Sequence, residues 1–232
     1  MKNLIFTLIV GLLGLSASAG DIMEGFDSLG GNKDLYNKAK ALHPETEIKI
    51  VQGRTVSRKF RHEFSPQVAS FVGGDAYLST DTLGLTYHFH INHRWSVGLN
   101  YFYAFNSLTS EAKALISNGL QPKLTEPLVP DLDEPRQGYL ATVNWYPIYG
   151  KMSLYDLGIT QFDLYLTAGT GVMELSSKGT GTYTYGGGLG VWFSQHLTGR
   201  MELRRQVYDT ERFTGKHTMN LTVLGLSLGY ML

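Results

Sequence analysis

No cysteine occurs in the 232 residues, which excludes a disulfide-stapled secreted domain and a lipoprotein carrying its lipid on an N-terminal cysteine. Charge of one sign is not in surplus either: 20 Lys and Arg face 20 Asp and Glu, and no basic stretch is interleaved with aromatics, so no nucleic acid is expected as a partner. Past the N-terminus there is no apolar run of the roughly 20 residues that a membrane helix requires. Proline is scarce, and four of the 7 prolines, Pro122, Pro127, Pro130 and Pro135, crowd into one short stretch. Whatever fold forms must come from sheet closure, without staples and without membrane helices.

The first residues are of another kind. Lys2 is followed by an apolar run over 4–15 and by Ala17-Ser18-Ala19, the layout of a secretory signal peptide. Cleavage is expected after Ala19, making 1–19 the signal, 20–55 an N-terminal segment on the periplasmic side, and 56–232 one barrel domain. Within the N-terminal segment, Asn32 as N-cap, helix formers over 33–42 and Pro44 as a stop predict a short helix.

The stretch WSVGLNYFYAF, 95–105, sets the pattern for the rest. Its odd positions, Trp95, Val97, Leu99, Tyr101, Tyr103 and Phe105, form one apolar face, and Ser96, Gly98, Asn100, Phe102 and Ala104 form the other. Such a strand, with aromatics at both ends, has about the 9–11 residues that cross a bilayer at a tilt. Seven more alternating stretches occur, over 60–69, 77–89, 137–148, 160–172, 182–193, 197–208 and 218–232. The last is apolar on both parities in its first half, which leaves its face open there. Eight is an even number, so the reading is an all-β chain forming an eight-stranded antiparallel transmembrane β-barrel in the cell outer membrane, with membrane lipid around it. The long connection over 106–136 marks the outer end, since such barrels keep short turns on the periplasmic side. A soluble lipocalin-like barrel would turn these aromatic faces inward, where eight strands leave room for little beyond modest side chains or one small ligand.

The hairpin NWYPIYGKMSLYDLGITQFDLYLTAGTG, 144–171, resembles the signature of a family of small outer-membrane β-barrel proteins of myxobacteria and related predatory bacteria. The shared features are the aromatic-proline strand end, Tyr149-Gly150-Lys151 opening a periplasmic turn, and Phe162-Asp163-Leu164-Tyr165 beginning the next strand. Leu29-Gly30-Gly31-Asn32-Lys33, Val51-Gln52-Gly53-Arg54 and the charged strand over 200–208 are similar as well. Gln206 stands where that family's pattern has an acidic residue, and Leu232 closes the chain in place of an aromatic. The resemblance implies an outer-membrane barrel, in some members part of envelope-spanning machinery for surface gliding. It supplies no catalytic residues.

Parity predicts a polar cluster inside the barrel: Arg61, Glu63, Asp163, Arg200, Glu202 and Arg204. It reads either as a bonded network filling the lumen or as the lining of a narrow ion path. His88 and His90, two apart on one strand face, are the candidate metal ligands, set against a polar rim at the membrane interface. No cofactor is expected, because the glycines of Gly186-Gly187-Gly188-Leu189-Gly190 alternate within a strand and read as lumen packing, with no helix after them. No histidine lies beside a serine near an outer strand end, and His217 beside Thr218 is the one outer candidate for a lipid-modifying enzyme. In the long outer connection, 110–118 predicts a short helix with Leu115 and Ile116 on one side, followed by a proline-rich stretch bearing Glu126, Asp131, Asp133 and Glu134. A connection this long is functional or mobile. The sequence therefore reads as a non-enzymatic barrel, structural or docking in role, that engages an envelope or surface protein. A lipid-modifying enzyme and a narrow pore are the alternatives.

Overall fold

The computed structural model describes residues 41–42, 56–119, 131–153, 159–213 and 215–232. The expected signal peptide, nearly all of the predicted N-terminal helix and Glu126 lie outside the described residues. Eight strands, β1 (Arg61–Val72), β2 (Leu78–His90), β3 (Trp95–Leu108), β4 (Pro135–Ser153), β5 (Ile159–Leu175), β6 (Gly179–Trp192), β7 (Leu197–Arg212) and β8 (Gly215–Met231), pair antiparallel in chain order. β1 also pairs with β8, which closes the barrel. One helix, α1 (Ser110–Gly119), interrupts the β3–β4 connection. Thr109 caps it, its Oγ1 accepting from the Ala112 N–H at 3.3 Å.

The alternation decides which face is which. Along β3 exposed and buried residues alternate without a break from Trp95 to Phe105. Every strand puts large apolar side chains on the outside, among them Phe64, Leu85, Leu99, Val143, Leu166, Tyr183, Leu203 and Leu226, with Leu99 61% exposed and Leu203 57%. A continuous belt of this kind has no place in water. With polar residues inside, this is the transmembrane arrangement and the reverse of a lipocalin. Trp95 stacks on Trp145 at one rim, with ring centroids 6.1 Å apart, and Tyr101 meets Tyr139 toward the other at 5.1 Å. These are the aromatic girdles that such a belt requires.

One expectation is corrected. Tyr149-Gly150-Lys151 does not open a turn: β4 passes a register shift between Trp145 and Ile148 and stays paired with β5, Tyr149 opposite Asp163 and Ser153 opposite Ile159. Proline and glycine looked like punctuation, whereas the strand absorbs Pro147 at the irregularity. The open face of the last strand is also settled. Leu221 and Val223 point inward at 3% and 1% exposure, while Leu224 and Leu226 face out.

Candidate functional site

Among the described residues the lumen is the densest cluster of chemically capable side chains, and it is built from six strands and the chain just ahead of β1. Glu63, fully buried, sits at its centre. Its Oε1 accepts from Arg200 Nε at 2.8 Å and Thr198 Oγ1 at 2.7 Å. Its Oε2 accepts from Arg200 Nη2 and His90 Nε2, both at 2.8 Å. A fork-on-fork arginine pair of this geometry fixes both groups in orientation as well as in charge. Asp163 continues the network, accepting from Trp192 Nε1 at 2.9 Å and Arg58 Nη1 at 3.1 Å, with Arg200 Nη1 3.5 Å from its other oxygen. The Arg58 guanidinium also lies 4.2 Å from the Tyr146 ring centre and donates to the His93 carbonyl at 2.8 Å. One level up, Glu202 accepts from Tyr165 Oη at 3.0 Å and from Arg204 Nη1 at 3.1 Å.

Glycines of β6 make room for this cluster. A Cβ on Gly190 would stand 2.7 Å from Asp163 Oδ1 and 3.0 Å from Arg200 Nη1, so only glycine fits beside the ion pair. The cluster is closed at both ends by apolar side chains. Val56, Trp192 and Met231 seal the end where β1 begins and β8 finishes. Phe102, Leu140, Met173, Leu175, Leu221 and Val223 fill the end toward α1. Between them lies a cavity of about 10 Å³ beside Asn100 and Arg204, and a second of about 20 Å³ lies at the outer side of the apolar seal, beside Tyr208, Asp133 and Arg212. Each has room for about one water.

Of the six residues predicted for the lumen, five are brought together: Glu63, Asp163, Arg200, Glu202 and Arg204. Arg61 is not. It lies at the rim, donating to the carbonyls of Ser57, Gln195, Met231 and Leu232 at 3.1–3.2 Å and bonding His196 Nδ1 at 3.0 Å. Parity gives a direction but no depth, and the first residue of a strand has no lumen beside it. Sequence reasoning missed Arg58, 1% exposed, because it precedes the strand and belongs to no alternation. Phe60, at a φ of +58°, turns the chain from that inserted stretch into β1.

His88 and His90 both face the lumen, 6% and 0% exposed, with ring centroids 6.2 Å apart. Neither sits on the rim, and His90 Nε2 is engaged with Glu63. Among the described residues no group of three or more His, Cys, Asp or Glu is arranged to hold a metal ion.

The outer connection is tied down where it is described. Asp133 accepts from the Ser177 N–H at 3.0 Å, Ser177 Oγ at 2.8 Å and Thr210 Oγ1 at 2.9 Å. Asp131 accepts from the Phe213 N–H at 2.6 Å, and the Glu134 carbonyl from the Ser176 N–H at 2.8 Å. Leu115 and Ile116 are half-buried on α1. Nearby, Lys178 pairs with Glu211, whose carboxyl is held below the usual range first by that hydrogen bond and then by the lysine's charge.

A closed eight-stranded barrel with a bonded polar interior, an apolar belt and two girdles defines a small β-barrel of outer-membrane architecture. Three solved barrels of that architecture are similar to it. The N-terminal β-barrel domain of OprF from Pseudomonas aeruginosa is 12% identical, with a TM-score of 0.42, over 74% of this chain and 98% of that one. Ail, the attachment invasion locus protein of Yersinia pestis, is 12% identical with a TM-score of 0.34 over 75% and 99%. Neisserial surface protein A is 8% identical with a TM-score of 0.39 over 75% and 97%. No protein-family model matches the chain and no curated protein does, so nothing in these comparisons supports the resemblance to barrels of predatory bacteria.

Proposed function

We propose that this protein is a non-enzymatic barrel of the bacterial outer membrane, a structural or docking component of an envelope assembly. Its short turns and chain termini face the periplasm, and its signal peptide is cleaved after Ala19. The observation that carries this reading is the filled lumen. Among the described residues, the interior's carboxylates are already bonded to arginines and hydroxyls, the cavity beside Arg204 is of single-water size and both ends are apolar, which favours filling over a substrate pocket or a continuous water path. Recognition then falls to what projects from the barrel: the outer connection over 106–136, with Leu115, Ile116, Glu126, Asp131, Asp133 and Glu134, or the N-terminal segment over 20–55. The hairpin resemblance is the sole support for placing such an assembly in surface gliding.

Crosslinking in intact cells, followed by purification and mass spectrometry, tests this with residues 112–130 present and deleted. That deletion keeps Asp131 and Asp133, which tie the outer hairpins together. Envelope proteins captured by the full chain and lost on deletion are the expected outcome. Single-channel conductance in planar bilayers, or altered lipid A on overexpression, would replace the docking role with a pore or an enzyme.

A further inference from the structure

The belt is not evenly filled. Its outward positions carry mostly Leu, Val, Met or an aromatic; Ala141, Ala168 and Gly187 are small as well, but Pro66 on β1 and Gly199 on β7 fall in one row, on either side of Leu228 on β8. Around them lies a depression of about 350 Å³, walled by Val68, Leu189, Val191, Met201 and Leu226. It coincides with a lapse in the seam that closes the barrel. β1 and β8 pair at Phe64–Tyr230 and again at Gln67–Ser227, but not between, where Ser65 and Pro66 stand opposite Gly229 and Leu228. Proline has no N–H to give to that ladder. Phe193 leans over the gap left by Gly199, where a Cβ would stand 2.8 Å from its ring.

We infer that this depression is the seat of one acyl chain of a membrane phospholipid, held across the β7–β8–β1 seam. The inference rests on the reading that the belt faces a bilayer. Three features select the occupant. The depression is continuous with the lipid-facing belt and walled by hydrocarbon, so no polar ligand is recognised there. A second copy would bring another convex wall, which touches a cylinder along a line and leaves a concavity unfilled. A stable dimer also buries about 1,200 Å² or more, beyond what this hollow supplies. Depth selects the leaflet. Gly199 pairs with Leu228, and Leu197 with Tyr230 of the girdle at the terminal end, so the hollow begins two residues above that girdle, about 7 Å at the rise of a strand. That is within reach of the periplasmic leaflet, whose lipids are phospholipids. The bound chain covers the unpaired stretch at Pro66 and so stabilises the seam.

The test reconstitutes the mature protein in vesicles of phosphatidylethanolamine and phosphatidylglycerol containing a phospholipid with a mid-chain diazirine. After irradiation, adducts are mapped by mass spectrometry. The expected result is several-fold more labelling at Met201, Leu226 and Leu228 than on the equally apolar face of Val97, Leu99 and Val143. Met201→Trp, which fills the hollow from a lipid-facing position, should abolish the excess, and Gly199→Leu, which drives the Phe193 ring off Gly199 and into the hollow, should do so independently. Even labelling around the barrel, or an excess that survives both substitutions, overturns the seat. A diazirine-bearing methionine analogue at position 201 that crosslinks two copies, with no lipid adduct there, overturns it in favour of a dimer face. No labelling on either face, with the protein accessible to protease throughout, overturns the membrane reading itself and is distinguished by the silent control face.

Discussion

In the half of the lumen nearer Met231, Glu63 pairs with Arg200 at 2.8 Å and Asp163 with Arg58 at 3.1 Å, the two pairs meeting at a 3.5 Å contact between Arg200 and Asp163; in the half nearer α1, Phe102, Leu140, Met173, Leu221 and Val223 pack as an ordinary apolar core. Both halves fill the same narrow cylinder. The ionic half is directional, and each member leaves a buried charge behind if its partner is lost. The apolar half depends on volume, and neighbours can partly collapse into a vacancy. The contrast teaches that barrel closure needs only filling, while the relative placement of β1, β5 and β7 needs the ion network.

The sharpest way to break the comparison is Glu63→Ala. It leaves the buried Arg200 guanidinium with only the longer 3.5 Å contact to Asp163 among aromatic neighbours and should cost about 3–5 kcal/mol, read by urea unfolding in vesicles. A loss below about 1 kcal/mol would show that water or a rearranged Asp163 replaces the glutamate. In the apolar half, Leu140→Ala should cost about 2–4 kcal/mol, with Tyr139 and Ala141 still facing lipid, and the barrel should still migrate as a heat-modifiable band. Replacing both ionic partners, Glu63→Leu with Arg200→Met, should be less damaging than Glu63→Ala alone, because no charge remains unmatched between them; a coupling of about 1–3 kcal/mol is expected from the cycle. Simple additivity would mean that the two residues do not act as a pair.

The smallest effect belongs to the exposed outer tip. Glu211 has its ionisation favoured by Lys178, so this pair contributes above the ordinary carboxylate range and its contribution disappears as pH falls through the lowered value. Glu211→Gln should flatten the melting temperature between neutral and acidic pH by a small amount, most visibly at low salt. An unchanged pH profile would mean that the pair is not formed in solution.

How much of this was legible in the sequence follows from what alternation encodes. β3 reads without ambiguity because its polar parity faces polar neighbours over most of its length. β8 does not, and its double-sided apolar start is the imprint of the apolar seal: Leu221 and Val223 serve the lumen while Leu224 and Leu226 serve the belt. Phe102 carries the same message on the polar face of β3. Five of the six residues assigned to the lumen are there because parity and depth agree for them. Arg61 fails on depth alone. Arg58, Tyr146 and Trp192 complete the site: the first lies outside any strand, the contact of Tyr146 with it joins parts far apart in the chain, and the bond of Trp192 to Asp163 depends on the register of β5 on β6, which alternation does not give.

Glu63 belongs to the first strand and Arg200 to the seventh, with β8 between them. The two can meet only when β8 has docked on β1, so a sheet that has not yet closed holds them apart, Glu63 on one edge strand and Arg200 one strand in from the other, each without its strongest partner. Half-closed forms are therefore penalised by the same groups that lock the finished barrel. Closure becomes a single cooperative event in assembly, and the order in which strands are delivered to the membrane matters less than whether the first and last arrive together.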